Sequence, residues 1–264
     1  RREHWRLAEI RLTRGRAPAG RWLLREVPQL RRAAIVIDDL GQDLDAAQKL
    51  LALGYPFTFA VLPHLRHSAA TAEEAYRAGR EVMLHLPMEP LPNGTARPGQ
   101  GEIRVGMSSL EVVRTLETNL DSVPHVRGVN NHMGSRATTH AALMASVMRA
   151  LEARRLYFVD SRTTGATVAF DVARREGIPT FYRSVFLDDP QTAAYTLRQL
   201  REFLRVIEEQ DVALAIGHPY PSTVNALTQF LPEFERQDIQ LVPVSQLLEL
   251  PQVARLSPPR AATP

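Results

Sequence analysis

Short β-branched apolar runs alternate with helix-spaced segments along almost the whole chain, and this alternation constrains the fold more than any other feature. The runs near 33–38, 57–62, 81–85, 126–131, 156–160, 179–183, 212–217 and 239–242 have the length and residue types of buried strands. Between them, 43–53, 69–78, 108–122, 139–154, 166–176, 190–210 and 222–237 place apolar residues at helical spacing. Ser108 followed by Glu111 is an N-cap signal, and Gly54, Gly79 and Gly177 stand where helices should stop. A βα order with short connections implies right-handed crossovers and a mostly parallel sheet. Seven or eight such units close into a barrel, so the expected fold is α/β, a distorted (β/α)7-8 barrel with its active face at the carboxyl ends of the strands.

Three segments are expected: a basic lead-in over 1–32, a barrel domain over 33–250 and a flexible tail over 251–264. The 264 residues, 44% of them hydrophobic, suffice for a full core. The one long interruption, 86–107, contains Pro87, Pro90, Pro92, Asn93-Gly94, Pro98 and Gly99; it reads as an irregular loop with a short hairpin, on the face where loops form substrate walls. The net charge of +3 comes from arginine, since Lys49 is the only lysine, and the arginines of the lead-in read as a solvated basic segment. Nothing in the chain points to nucleic acid. No run approaches the ~18 apolar residues of a membrane span. The chain lacks an initiator Met and a signal-type stretch, so a trimmed N-terminus is expected, from which an export or anchor segment could have been removed.

The strand ends carry the chemistry. Asp38-Asp39 closes the first run, and His85, His132, Asp160 and His218 close later ones, so residues far apart in sequence would meet in one cleft. The absence of cysteine excludes disulfides, thiolate nucleophiles and iron–sulfur clusters, and leaves His, Asp and Glu as metal ligands. Adjacent strand residues point to opposite faces, so Asp38 and Asp39 share a site only where the strand ends and twists, which Leu40-Gly41 permits. One carboxylate can then hold a cation while the other takes a proton from water. Glu89 lies four residues beyond His85, and Asn131, beside His132, is a candidate for orienting substrate. Asp160 can pair with Arg162, or Arg162 can face substrate oxygens. His218, between Gly217 and Pro219, can act as an acid near neutral pH. His4, His64, His67, His125 and His140 read as surface or capping residues.

Ile37-Asp38-Asp39-Leu40-Gly41, the stretch from Glu81 through His85 to Pro90, Asn130-Asn131-His132-Met133-Gly134-Ser135, Asp160-Ser161-Arg162-Thr163 and Ala215-Ile216-Gly217-His218-Pro219 together resemble the divergent polysaccharide deacetylases, over about 33–248. The resemblance implies a distorted (β/α) barrel of the glycoside hydrolase/deacetylase superfamily, bacterial and often exported, acting on N- or O-acetylated polysaccharide or peptidoglycan-type glycan with a divalent metal, zinc above all. It assigns Asp38 as base, Asp39 as metal ligand, His85 as the first histidine ligand and His218 as the acid that protonates the leaving amine. Glu89 stands where the family's second histidine ligand belongs; either Glu89 ligates or His132 replaces that imidazole, with His132 preferred. Asp160 and Arg162 would orient partners, and a periplasmic or other extracytoplasmic location follows.

Two other readings remain at this stage. The altered second motif admits a barrel that has lost turnover and serves as a carbohydrate- or cell-wall-binding module. A metal-independent glycosidase would need Asp38 and Glu89 as a carboxylate pair roughly 5–9.5 Å apart across an open groove.

Overall fold

The computed structural model describes residues 31–92, 97–250 and Val253 in full, and 7–14 and 17–25 by their backbone. Strands β1 (Leu7–Arg14) and β2 (Ala17–Arg25) form an antiparallel hairpin of their own within the stretch expected to be a plain lead-in. The remaining strands are β3 (Arg31–Leu40), β4 (Thr58–Val61), β5 (Glu81–Met88), β6 (Val126–Met133), β7 (Tyr157–Asp160), β8 (Thr180–Tyr182), β9 (Val185–Phe186), β10 (Val212–Gly217) and β11 (Ile239–Leu241). The helices are α1 (Leu44–Ala52), α2 (Ser68–Arg77), α3 (Ser109–Asp121), α4 (Ala141–Ala153), α5 (Ala169–Arg175), α6 (Ala193–Gln210), α7 (Pro221–Phe230), α8 (Pro232–Arg236) and α9 (Val244–Leu248).

β3 to β11 make one sheet in the order β8-β7-β6-β5-β4-β3-β10-β9, with β11 beside the start of β3, and the pairings between them are parallel. The gap between β7 and β10 is bridged by the β8–β9 segment: Arg183 N donates to Asp160 O at 2.9 Å and Ser184 N to Leu214 O at 2.8 Å. One chain segment thus leans on β7 and then on β10, which makes the barrel a distorted one.

Both faces of these strands are apolar, as parallel strands under helices require. Ala33, Ile35 and Ile37 on β3 and Leu84 and Leu86 on β5 belong to the core packed against the helices. The alternate positions, Ala34 and Val36, Met83, Tyr157 and Val159, Leu214 and Ile216, fill the barrel interior. The base is sealed by Glu81, whose Oε1 accepts from Tyr157 Oη at 2.7 Å and from Ser245 N at 3.1 Å. Continuing the interior alternation upward yields Asp38, His85, Asn130, His132, Ser161 and His218, so the mouth of the barrel is the top layer of its filling.

The capping box at Ser108 forms as expected, with Glu111 reaching back to the Ser108 amide. The helix expected over 222–237 is two, because Pro232 lacks an amide hydrogen and obstructs the preceding turn. The 86–107 loop starts later than its prolines indicate: β5 runs to Met88, and a parallel bridge from Met88 to Ile103 stands in place of the hairpin among the described residues. Asn93-Gly94 and most of 251–264 lie outside the described residues.

Candidate metal centre and cleft

Asp38 and Asp39 turn to one side because β3 is bulged. Its pairing with β4 shifts register between Ile37 and Leu40, and Asp39 takes a left-handed conformation at φ 57°. The same device recurs at Met133 (φ 52°) and Arg162 (φ 50°), each directly after an interior-facing residue at the end of its strand. Left-handed backbone is unfavourable for residues with a Cβ, by roughly 1–2 kcal/mol, so three such kinks around one cleft mark strain held at a site.

β5 and β6 pair with His85 opposite Asn130, so His85, Asn130 and His132 share a face. His85 Nε2 lies 3.1 Å from Asp39 Oδ1, His132 Nδ1 lies 3.0 Å from the same oxygen, and the two ring nitrogens are 3.1 Å apart. Ligands of one ion with bonds of ~2.0–2.2 Å stand about 3–3.5 Å from one another, the edge length of this triangle. Asp39 Oδ1 is buried, and neither imidazole contact gives it a hydrogen bond, so a carboxylate oxygen is aimed at the triangle without an aligned donor. The donor set of two imidazoles and a carboxylate, with one orphaned buried oxygen, fits a divalent cation such as zinc.

Asn130 sets the tautomer of His85. Its Nδ2 donates to Asp38 Oδ1 at 2.7 Å, which turns its Oδ1 to His85 Nδ1 at 2.8 Å. Nδ1 therefore carries the hydrogen, and Nε2 offers its lone pair to the triangle. Asp38 itself is buried, with Oδ2 3.6 Å from His85 Nε2. Burial raises its carboxyl above the usual range, the imidazoles of His85 and His218 oppose this, and the Asp39 charge adds to it. Asp39 goes the other way: burial acts against its charge, but the His132 and His85 imidazoles outweigh burial and hold it well below the usual range. Two neighbouring carboxyls are thus driven apart, one suited to taking a proton and one to staying ionised.

His218 faces the pair from β10, its Nε2 3.7 Å from Asp39 Oδ2. Its Nδ1 bonds the buried Asp188 at 2.9 Å, and its amide donates to the other oxygen of Asp188 at 2.6 Å, which also accepts from Thr223 Oγ1 at 2.7 Å. Burial alone would lower the imidazole pKa, but Asp188, then Asp38 and Asp39, push it up to about 9. A Cβ on Gly217 would stand 3.2 Å from Asp188 Oδ2, a tight contact that glycine avoids.

The other expected residues divide between the cleft wall and its surroundings. Glu89 holds Arg136 at 2.5 Å and the Val105 amide at 2.7 Å, and does not line the cleft. Asp160 points outward, accepting from the Arg162 amide at 2.8 Å, Thr167 Oγ1 at 2.9 Å and the Phe170 amide at 3.2 Å; it shapes the turn. Asn131 lines the cleft but its oxygen accepts from the Ser161 amide at 2.9 Å, and Arg162 lines the cleft beside it. His125 stacks on Tyr76 and bonds Glu73, and His64 bonds Asn119, remote from the centre. Asn130, Asp188, Ser161 and Arg183 were not anticipated. Asp188-Asp189 repeats the Asp38-Asp39 pattern after an apolar run, and that repeat was the available signal.

The model of the divergent polysaccharide deacetylase family matches residues 35–248. The chain belongs to the divergent polysaccharide deacetylases. It is 39% identical over 233 residues to the uncharacterized protein YibQ of Escherichia coli (strain K12), covering 88% of this chain and 72% of that one. Among solved structures, uncharacterized protein ATU2773 from Agrobacterium tumefaciens C58 superposes with a TM-score of 0.77 at 24% identity, over 82% of this chain and 89% of that one. A family 4 acetyl xylan esterase from Clostridium thermocellum, in complex with a cobalt ion, gives 0.53 at 15% identity, over 85% and 95%, a likeness of fold.

Proposed function

We propose that this divergent polysaccharide deacetylase is a metal-dependent hydrolase that removes acetyl groups from N- or O-acetylated glycan, outside the cytoplasmic membrane. The observation that carries the reading is the coincidence, in one cleft of about 510 Å³, of the ligand triangle with a raised carboxyl on one side and a raised imidazole on the other. Bound at Asp39, His85 and His132, a divalent cation supplies Lewis-acid polarisation of the acetyl carbonyl and acidifies water. Asp38 takes the proton from the attacking water, whose oxygen joins the acetyl carbon. His218, protonated at neutral pH, gives its proton to the leaving nitrogen or oxygen as the acyl bond breaks. Asp188 holds His218 with Nε2 toward the centre, and Asn130 holds Asp38 and His85 in mutual register. Asp160 acts on this arrangement only by shaping the turn that presents Ser161 and Arg162.

Glu89 does not supply the second carboxyl of a glycosidase, because it is committed to Arg136 and sits outside the cleft. Two proton-transfer groups with opposed environments favour turnover over a barrel that only binds glycan. Incubation with acetylated chitooligosaccharide should release acetate, lose this with chelator, regain it with zinc, and fall by about 10²–10⁴ in Asp38→Asn. Chelator-resistant release, or saturable binding of the oligosaccharide with no release, contradicts the reading.

A further inference from the structure

The buried and half-buried acids around the cleft have positive or hydrogen-bonding neighbours: Asp39 has the two imidazoles at ion-pair distance, Asp188 has His218, Asp160 has backbone amides and Thr167. Arg183 is different. It lines the cleft, half-buried, and among the described residues no carboxylate lies within ion-pair distance of it. Its guanidinium is nevertheless fixed. Nε donates to Ser161 O at 2.7 Å and Nη2 to Arg162 O at 2.8 Å, while the plane lies over the Phe186 ring at 4.8 Å. Phe186 in turn meets the His218 ring edge-on at 5.4 Å, so the guanidinium is one aromatic ring away from the group that protonates the leaving atom.

A charge withdrawn from water without a carboxylate in contact with it is costly, and a ligand that supplies one offsets that cost. Two carbonyls and a ring hold the fork in one orientation but neutralise none of its charge. Asp38 and Asp160 favour its charge only from beyond ion-pair distance, and burial and Arg162 on the same wall work against it. An immobilised guanidinium with remaining N–H groups is suited to a planar oxyanion, which it can grip through two parallel hydrogen bonds.

We propose that the acetylated glycan taken by this cleft carries a carboxylate on the sugar, as a uronic acid or a lactyl-substituted hexosamine does, and that Arg183 reads it. This rests on the deacetylase reading of the same cleft.

The test separates the two. Calorimetry on zinc-loaded Asp38→Asn protein, which keeps the cleft and suppresses turnover, would compare two probes, an N-acetylglucosamine–glucuronate disaccharide and an N-acetylglucosamine–N-acetylmuramate disaccharide, each as free acid and as methyl ester. The free acid of at least one should bind about tenfold or more tightly than its ester, and which one identifies the source of the carboxylate. Adding Arg183→Gln should abolish that preference, and Arg183→Lys should restore part of it. Equal affinity of acid and ester, a preference that survives Arg183→Gln, or no binding of any probe at millimolar concentration overturns the proposal. Acetate release by the unsubstituted protein is scored apart: equal release from acid and ester leaves the deacetylase reading intact and removes Arg183's role. Absence of release with a retained acid preference does the reverse.

Discussion

The proton inventory of the cleft depends on single contacts, and His218 is where it is most readily measured. Its pKa of about 9 lies above the unfolded value of 6.5 because Asp188, Asp38 and Asp39 stabilise the imidazolium against the opposing effect of burial. A raised pKa contributes stability that is fully present below pH 6.5 and lost as pH rises through 9. In chelated protein, NMR should therefore show His218 titrating well above the ordinary histidine range, and Asp188→Asn should bring it down by about one unit or more. A His218 that titrates near the ordinary value in the intact protein would remove the acid from the account. Asp38, Asp39, His85 and His218 were legible in the sequence because each closes an apolar run. The role of Asn130 exists only once β5 meets β6; Asp188 carries a sequence signal in its repeat of the Asp38-Asp39 pattern, but its bond to His218 exists only once β9 meets β10.

At the scale of the element, strand parity decides which residues can work together. Asp38, Asn130, His132 and Ser161 follow the interior alternation, whereas Asp160 follows Phe158 to the helix side and is consumed by a turn. Parity was available from the sequence once the strands were placed, and it argues against Asp160 without coordinates. It could not reveal the bulge at Asp39, which depends on pairing with β4. At the opposite end of β6, Gly128 leaves room for the Tyr157 ring; a Cβ there would stand 2.1 Å from Tyr157 Cε2. Gly128→Ala should lower stability by roughly 1–3 kcal/mol through displacement of that ring. Thermal unfolding checks this, and an unchanged melting temperature would show that the base of the barrel is loosely filled.

For the whole molecule, the repeating βα order sufficed to anticipate a parallel barrel with its chemistry at one mouth. The hairpin of β1 and β2 and the β8–β9 bridge escaped, because an arginine-rich stretch hides strand alternation and a two-residue strand has no period to read. The barrel brings together residues from β3, β5, β6 and β10, and the account depends on their meeting around one divalent cation. Crystals grown without chelator and soaked in zinc test this most directly. Anomalous scattering should show one ion bonded to Asp39, His85 and His132 at ~2.0–2.2 Å, with Asp38 and His218 on either side and not bonded to it. No ion at that position, or an ion held by Glu89 in place of His132, would contradict the account.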